Sequence, residues 1–215
     1  MAKTRVGLIR VVSNLDHEQA QIHGRILEQA FPTLAVLTQT IDGFPGGLYN
    51  RTLEQQAVPE ILRVGRALAA RVDVVAVSCA ADPGVDELRE ALSIPVVGAG
   101  SCLGLVGRAL GTKVGILTIT PYVPQAIVRA FHGCEVPWRQ VEGVYRTTDL
   151  PGAMDAMVQA AAGLVDQGCR AIGLACTGFS TVGAAAALRQ ALPVVVLDPV
   201  VAMGAAITCV LSGRG

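Results

Sequence analysis

Short apolar runs alternate along this chain with segments whose apolar residues recur every three or four positions, the pattern of strands alternating with amphipathic helices. Residues 6–12 read as a strand that Ser13 and Asn14 end, and residues 16–30 as a helix with Ile22, Ile26, Leu27 and Ala30 on one face. A second strand over 34–40 leads to a glycine-rich loop, 42–49. A helix over 55–70, a strand over 72–78 and a helix over 85–92 follow. Val96 and Val97 form a short strand that runs into Gly98-Ala99-Gly100-Ser101-Cys102-Leu103-Gly104 and a further helix. The remainder repeats the alternation, with strands near Lys113, Val136, Ala171 and Val194 and helices near Val123, Met154, Val182 and Ala202. Such an order predicts an α/β fold of mostly parallel sheets flanked by helices.

Two stretches are near copies. In the first, an apolar run ends in Ser78-Cys79 and is followed by Leu88-Arg89-Glu90-Ala91-Leu92 and Pro95-Val96-Val97. In the second, an apolar run ends in Ala175-Cys176 and is followed by Leu188-Arg189-Gln190-Ala191-Leu192 and Pro193-Val194-Val195. Further upstream, Arg5-Val6-Gly7-Leu8-Ile9 is matched by Lys113-Val114-Gly115-Ile116-Leu117. The repeat predicts two similar lobes, 1–108 and 109–199, with 200–215 packing back on the first, rather than a short-period solenoid. One thiol at the same point of two repeated halves can face its counterpart across a single cleft, which is a chemistry with two acid/base groups.

Ligands of parallel sheets bind beyond the carboxyl ends of the strands. Ser13, Asn14, Ser78, Cys79, Thr118, Thr120, Cys176 and Thr177 all fall at such ends. Ser, Thr and Asn there also suit helix capping, and the two roles coexist. Asp82-Pro83-Gly84 after Cys79 has the form of a helix start with Asp82 as cap, and Thr177-Gly178 after Cys176 suits an anion-binding concavity of backbone N–H groups. A thiol at a helix N-terminus is shifted toward thiolate, so both cysteines are expected to be activated. The same N–H groups suit a carboxylate or an enolate oxygen.

Composition narrows the classes. Hydrophobic residues make up 52% of the 215, as buried parallel strands require, and 17 basic residues balance 17 acidic ones. With no net charge and few aromatics, neither nucleic acid nor an anionic membrane is an expected partner. No signal-peptide core or convincing membrane span is apparent, so the expected location is cytoplasmic, with reduced thiols. No Cys-x-x-Cys pair occurs, and with three histidines a metal site has little support. Cys102, Cys134, Cys169 and Cys209 read as packing or surface residues. Gly98, Gly100 and Gly104 miss the dinucleotide fingerprint, Lys3 and Lys113 suit no Schiff base, and no Gly-x-Ser-x-Gly elbow appears. Alanine-rich faces such as 184–187 fit either packing within the fold or a homo-oligomer.

The run Ser78-Cys79-Ala80-Ala81-Asp82-Pro83-Gly84, with Leu88-Arg89-Glu90 and Ile94-Pro95-Val96-Val97-Gly98, resembles the first cysteine motif of hydantoin racemases, within the aspartate/glutamate/hydantoin racemase superfamily. Ala175-Cys176-Thr177-Gly178-Phe179-Ser180 is similar to the second, and Leu197-Asp198-Pro199-Val200 to the segment after it. The resemblance covers nearly the whole chain. It implies two α/β lobes, an active site between them, a small-molecule substrate and no cofactor. Cys79 and Cys176 would be the catalytic pair, one removing the proton from the stereocentre while the other returns one to the opposite face. Ser13, Asn14, Ser78, Ala80, Thr118, Thr120, Thr177 and Gly178 are the expected substrate contacts. The family's Asn-Pro-Asn stretch is replaced by Val11-Val12-Ser13-Asn14-Leu15, and the Cys-Thr-His form of glutamate racemases is absent at Cys176.

The uncharged rim at these positions, with Asp82 as the only nearby carboxylate, favours a neutral ring, and so a 5-substituted hydantoin, over a free amino acid. Aspartate or another amino acid is the alternative within the superfamily. Related activities are those of maleate isomerase and of arylmalonate decarboxylase, whose single cysteine fits the pair here less well. A non-catalytic two-lobed ligand-binding protein is the reading from another class.

Overall fold

In the computed structural model, which describes residues 2–132 and 136–211, the first half of the chain winds into β1 (Thr4–Arg10), α1 (His17–Ala30), β2 (Leu34–Thr40), α2 (Arg51–Gln56), α3 (Val58–Ala69), β3 (Val74–Ser78), α4 (Val85–Ala91) and β4 (Val96–Gly98). The strands form a wholly parallel sheet of order β2-β1-β3-β4. After α5 (Ala99–Ala109) the second half adds β5 (Val114–Thr118), α6 (Gln125–Ala130), β6 (Trp138–Gln140), α7 (Met154–Val165), β7 (Ala171–Leu174), α8 (Gly178–Thr181), α9 (Ala184–Ala191), β8 (Val195–Leu197) and a last helix, α10 (Pro199–Leu211). Its sheet repeats the first order, β6-β5-β7-β8, again parallel. Central strands β3, β5 and β7 are buried along their whole length, which is why they read as unbroken apolar runs.

Helices α5 and α10 tie the halves together. Val200, Met203, Ile207 and Leu211 of α10 pack with Val6, Leu8 and Leu27 beside the first sheet, as does Cys102 of α5. Leu103, the next residue of α5, packs with Val114, Ile116 and Ala171 of the second sheet. Gly100 lets α5 approach the chain after Cys79, since a Cβ there would run into the Ala80 carbonyl.

Boundaries differ from the sequence-based expectation at several places. The first strand stops at Arg10, and Val11 and Val12 leave the sheet. The helix expected over 55–70 is two: Asn50 caps α2 by accepting from the Leu53 N–H at 2.9 Å, and α3 begins afresh after Ala57. Pro59, lacking an N–H, is accommodated in the first turn of α3. The helix near Val182 is also two, parted at Gly183, whose φ is 70°. Cys102 and Cys169 are buried and Cys209 is exposed. Cys134 and residues 212–215 lie outside the described residues. No described helix is long and apolar enough to cross a membrane.

Candidate active site

Cys79 follows β3 and Cys176 lies just after β7, so each leaves the carboxyl end of the central strand of its own sheet. Both line one small cavity of about 30 Å³ between the lobes. Their turns are joined directly. Thr177 Oγ1 donates to the Ser78 carbonyl at 3.0 Å, and His23 sits between Ser78 Oγ and Thr181 Oγ1 with a ring nitrogen 2.8 Å from each. His23 is buried, and burial first, then the Arg10 charge, hold its pKa well below the ordinary imidazole range, so the bridging ring is neutral.

Each sulfur faces the backbone N–H two residues on. The Gly178 N–H points at Cys176 Sγ at 3.4 Å, and the Ala81 N–H plays the same part at Cys79. Gly178 fits closely there, since a Cβ would come within 2.6 Å of both Thr147 Cγ2 and Leu150 Cδ1 and oblige those side chains to shift. The N–H groups do not make thiolates by themselves. Burial pushes both thiols up, and at Cys79 the neighbouring Cys176, Glu54 and Asp82 push the same way. At Cys176 the Gly178 and Phe179 N–H groups, Thr147 and Arg10 all oppose the effect of burial. The expectation of two activated thiols is therefore not met, because desolvation outweighs the helix-end field.

Of the other expected contacts, Ser78, Ala80, Thr120, Thr177 and Gly178 line the cavity. Ser13, Asn14 and Thr118 do not. Ser13 Oγ accepts from the Phe44 N–H at 2.9 Å and anchors the glycine-rich loop, while Asn14 points to solvent from a left-handed turn, φ 59°. Thr118 is wholly buried and spends its hydroxyl on the Thr120 carbonyl. Thr120 in turn donates to the Tyr122 carbonyl at 2.7 Å.

Asp82 does not cap α4, whose N-terminal neighbour Gly84 has no side chain to offer and lies at φ 70°. Its carboxylate accepts instead from the Gly100 and Ser101 N–H groups at 2.6 and 2.8 Å, capping α5 from a distance, and burial raises its pKa to about 6.

Nor is the rim uncharged. Arg10 and Glu54 both line the cavity, beside an apolar wall of Val11, Val12, Leu48, Ile119 and Pro124. Glu54 is half-buried, with its pKa raised by burial, and accepts from the Tyr122 hydroxyl across the cleft at 3.2 Å. Two cation–π contacts also strap the mouth: the Arg51 guanidinium over Tyr122, 5.1 Å from the ring centre, and Arg146 over Tyr49 at 5.4 Å. Arg10, His23, Glu54, Tyr122 and Thr147 are not among the contacts expected from the sequence. A signal existed for Arg10, a charge that ends the apolar run 6–9 of β1 at its carboxyl end, and for Glu54, four residues after a capping Asn and ahead of the helix-breaking Pro59.

A sequence profile described as Asp/Glu/Hydantoin racemase matches residues 19–207. The chain belongs to that family, a class of isomerases. Its fold is similar to that of allantoin racemase from Klebsiella pneumoniae, with a TM-score of 0.79, 20% identity, and 98% of this chain and 88% of that one covered. Allantoin racemase from Pseudomonas fluorescens gives 0.79 at 21% identity, covering 96% and 90%. A glutamate racemase isoform from Bacillus anthracis gives 0.67 at 14% identity, covering 99% and 83%. No curated protein sequence matches the chain.

Proposed function

We propose that this protein racemises a 5-substituted hydantoin at ring carbon 5, next to a carbonyl, with Cys79 and Cys176 as the acid/base pair and no cofactor. The observation that carries the reading is the meeting of two thiols, from matching strand ends of the two lobes, on one cavity. A base must take the proton from one face of a stereocentre and an acid must return one to the other face, and this placement suits that demand. One cysteine, as thiolate, takes the carbon-bound proton. The electron pair moves onto the carbonyl oxygen, and the other cysteine gives its proton to the opposite face of the enolate. The Ala81 and Gly178 N–H groups beside the sulfurs are the nearest fixed donors for the negative charge that moves through this site.

The apolar wall suits a ring, and allantoin, the substrate named for two proteins of similar fold, is itself a 5-substituted hydantoin. A cavity of about 30 Å³ is far smaller than such a ring, so the cleft must widen to admit it, and the Tyr122–Glu54 bond is a contact between its two sides.

A second reading has its own support. Arg10 and Glu54 would give the carboxylate and ammonium of an α-amino acid opposite charges to meet. Incubating single enantiomers of hydantoins and amino acids with the protein in heavy water, while following optical rotation and exchange of the acidic proton together, decides between them. Loss of rotation with deuterium uptake for a hydantoin supports the first reading. Turnover of a free amino acid, with none of any hydantoin, replaces it with the second.

A further inference from the structure

Arg10 closes β1 opposite Ser78, its partner in the β1–β3 register, and only 4% of it is exposed. Its Nη1 donates to the carbonyls of Gln19 and Ala20 at 2.8 and 3.2 Å, which fixes the guanidinium against α1. Among the described residues no carboxylate lies within ion-pair distance of it. A buried cation is costly unless an anion faces it; Cys176, Cys79 and Glu54 line the cavity with it, and of these Cys176 is the group whose charge acts on Arg10. The attraction is mutual: it favours the charged form of each partner.

The surroundings of the two sulfurs differ in sign. Cys176 Sγ faces the Gly178 N–H at 3.4 Å, Thr147 Oγ1 at 3.9 Å and the Arg10 charge. Cys79 faces Glu54 of α2 and Asp82 of its own turn, both of which oppose its ionisation. His23 of α1 is neutral, and Tyr122 stands behind Glu54.

We propose that Arg10 is a positioning residue that sets which cysteine ionises first: Cys176 gives up its proton more readily than Cys79, so Cys176 is the first base. This rests on the two-thiol reading above. In one turnover Cys176 takes the carbon-bound proton and becomes a thiol, while Cys79 gives its proton to the opposite face and becomes a thiolate. Transfer of the proton from Cys176 to Cys79 restores the starting state, with no net gain or loss. The enantiomer whose acidic proton faces Cys176 therefore meets the more readily ionised base, and its mirror image must wait for a proton to move from Cys79 to Cys176.

The test is alkylation by iodoacetamide as a function of pH, with no substrate present, mapped cysteine by cysteine by mass spectrometry on the full chain and on Arg10→Gln and Arg10→Lys. The midpoint for Cys176 should lie below that for Cys79. Arg10→Gln should raise the Cys176 midpoint by roughly one to two pH units, the size expected for loss of one charge at close range, and move that of Cys79 less than half as far. Arg10→Lys should restore most of the difference. A wild-type Cys79 midpoint equal to or below that of Cys176 overturns the proposal, as does an equal shift of both in Arg10→Gln, which a general loosening of the cleft would produce. Should Arg10→Gln fail to fold, the wild-type order and Arg10→Lys still decide. Because no substrate is present, the expected order in a protein that racemises no hydantoin refutes the substrate reading alone, and racemisation with the reverse order refutes the role of Arg10 alone.

Discussion

In the first lobe the chain leaves β3 at Ser78, turns through Cys79 and reaches α4 past Gly84. In the second it leaves β7, turns through Cys176 and inserts α8 before α9 begins past Gly183. The scaffolding around the two turns is shared in detail. Gly84 and Gly183 both lie at φ 70°, and Arg89 and Arg189 donate to the carbonyls of Val96 and Val196, at 3.3 and 2.7 Å, stitching helix to outer strand in each lobe.

The helix after the outer strand is capped in both lobes by a carboxylate, yet the source differs. In the second lobe Asp198, directly after β8, accepts from the Val200 and Val201 N–H groups and from Ser180 in the cysteine turn. In the first lobe Asp82 comes from the cysteine turn itself and reaches α5. The same task is therefore performed by a carboxylate that in one lobe sits beside the sulfur and in the other one helix away. A repeat can preserve backbone geometry while the charge next to each thiol diverges, and Asp82 beside Cys79 against Arg10 beside Cys176 is that divergence.

Replacing either cysteine by Ala should break the pair altogether. Each variant is expected to lose racemisation by about 10³-fold, within the range attributed to a positioned acid or base, while keeping the melting behaviour of the wild type. Each may be followed by polarimetry alongside proton exchange, where exchange of a single enantiomer survives if the remaining thiolate still reaches its face. Full racemisation by one variant would end the two-thiol account.

The caps sharpen the comparison next. Asp198→Ala leaves two N–H groups and a buried hydroxyl without their acceptor, and about 3 kcal/mol of stability should go. Asp82→Ala should cost less, about 1–2 kcal/mol, since it has two partners and its carboxyl is already penalised by burial. Urea denaturation of both at pH 7 measures the difference, and equal losses would contradict it.

At the residue two beyond each sulfur the lobes differ again, Ala81 against Gly178. Gly178→Ala should destabilise by about 1–2 kcal/mol through its clash with Thr147 and Leu150, and lower kcat by displacing the N–H at Cys176. Ala81→Gly should cost no more than about 1 kcal/mol. Thermal melts and initial rates on the two variants check this.

The smallest expected effect concerns the bridge between the turns. His23 is held neutral when folded and takes up a proton below about pH 6.5 when unfolded, so its contribution to stability is present above that pH and is lost as the pH falls below it. Asp82 acts in the opposite sense, its folded pKa of about 6 adding stability as the pH falls toward about 4. Between pH 7 and 6, where Asp82 goes on to half-titration and offsets part of the His23 effect, His23→Gln should turn the fall in stability on acidification into a small gain, read from urea midpoints. An unchanged slope would mean that the imidazole is not the group responsible.

The alternation of apolar runs with periodic helices is a local property, and the α/β architecture with two parallel four-stranded sheets was legible from it. So were the whole of β2 and the buried central strands, whose neighbours on both faces are apolar. The two cysteine turns could be picked out because a repeat betrays itself in residue order. What surrounds the sulfurs could not, because Arg10 and Ser78, or Glu54 and Tyr122, become neighbours only through sheet register and lobe contact. Asp82 shows the limit clearly: its sequence context announces a cap for the next helix, and a φ of 54° turns it toward a different one. Local pattern determined which segments are strands and helices and where the thiols fall on them. The tertiary structure alone decided that burial, and not the helix-end field, governs those thiols, and that a cation stands beside one and carboxylates beside the other, since desolvation and Coulomb energy depend on distances that chain order does not contain.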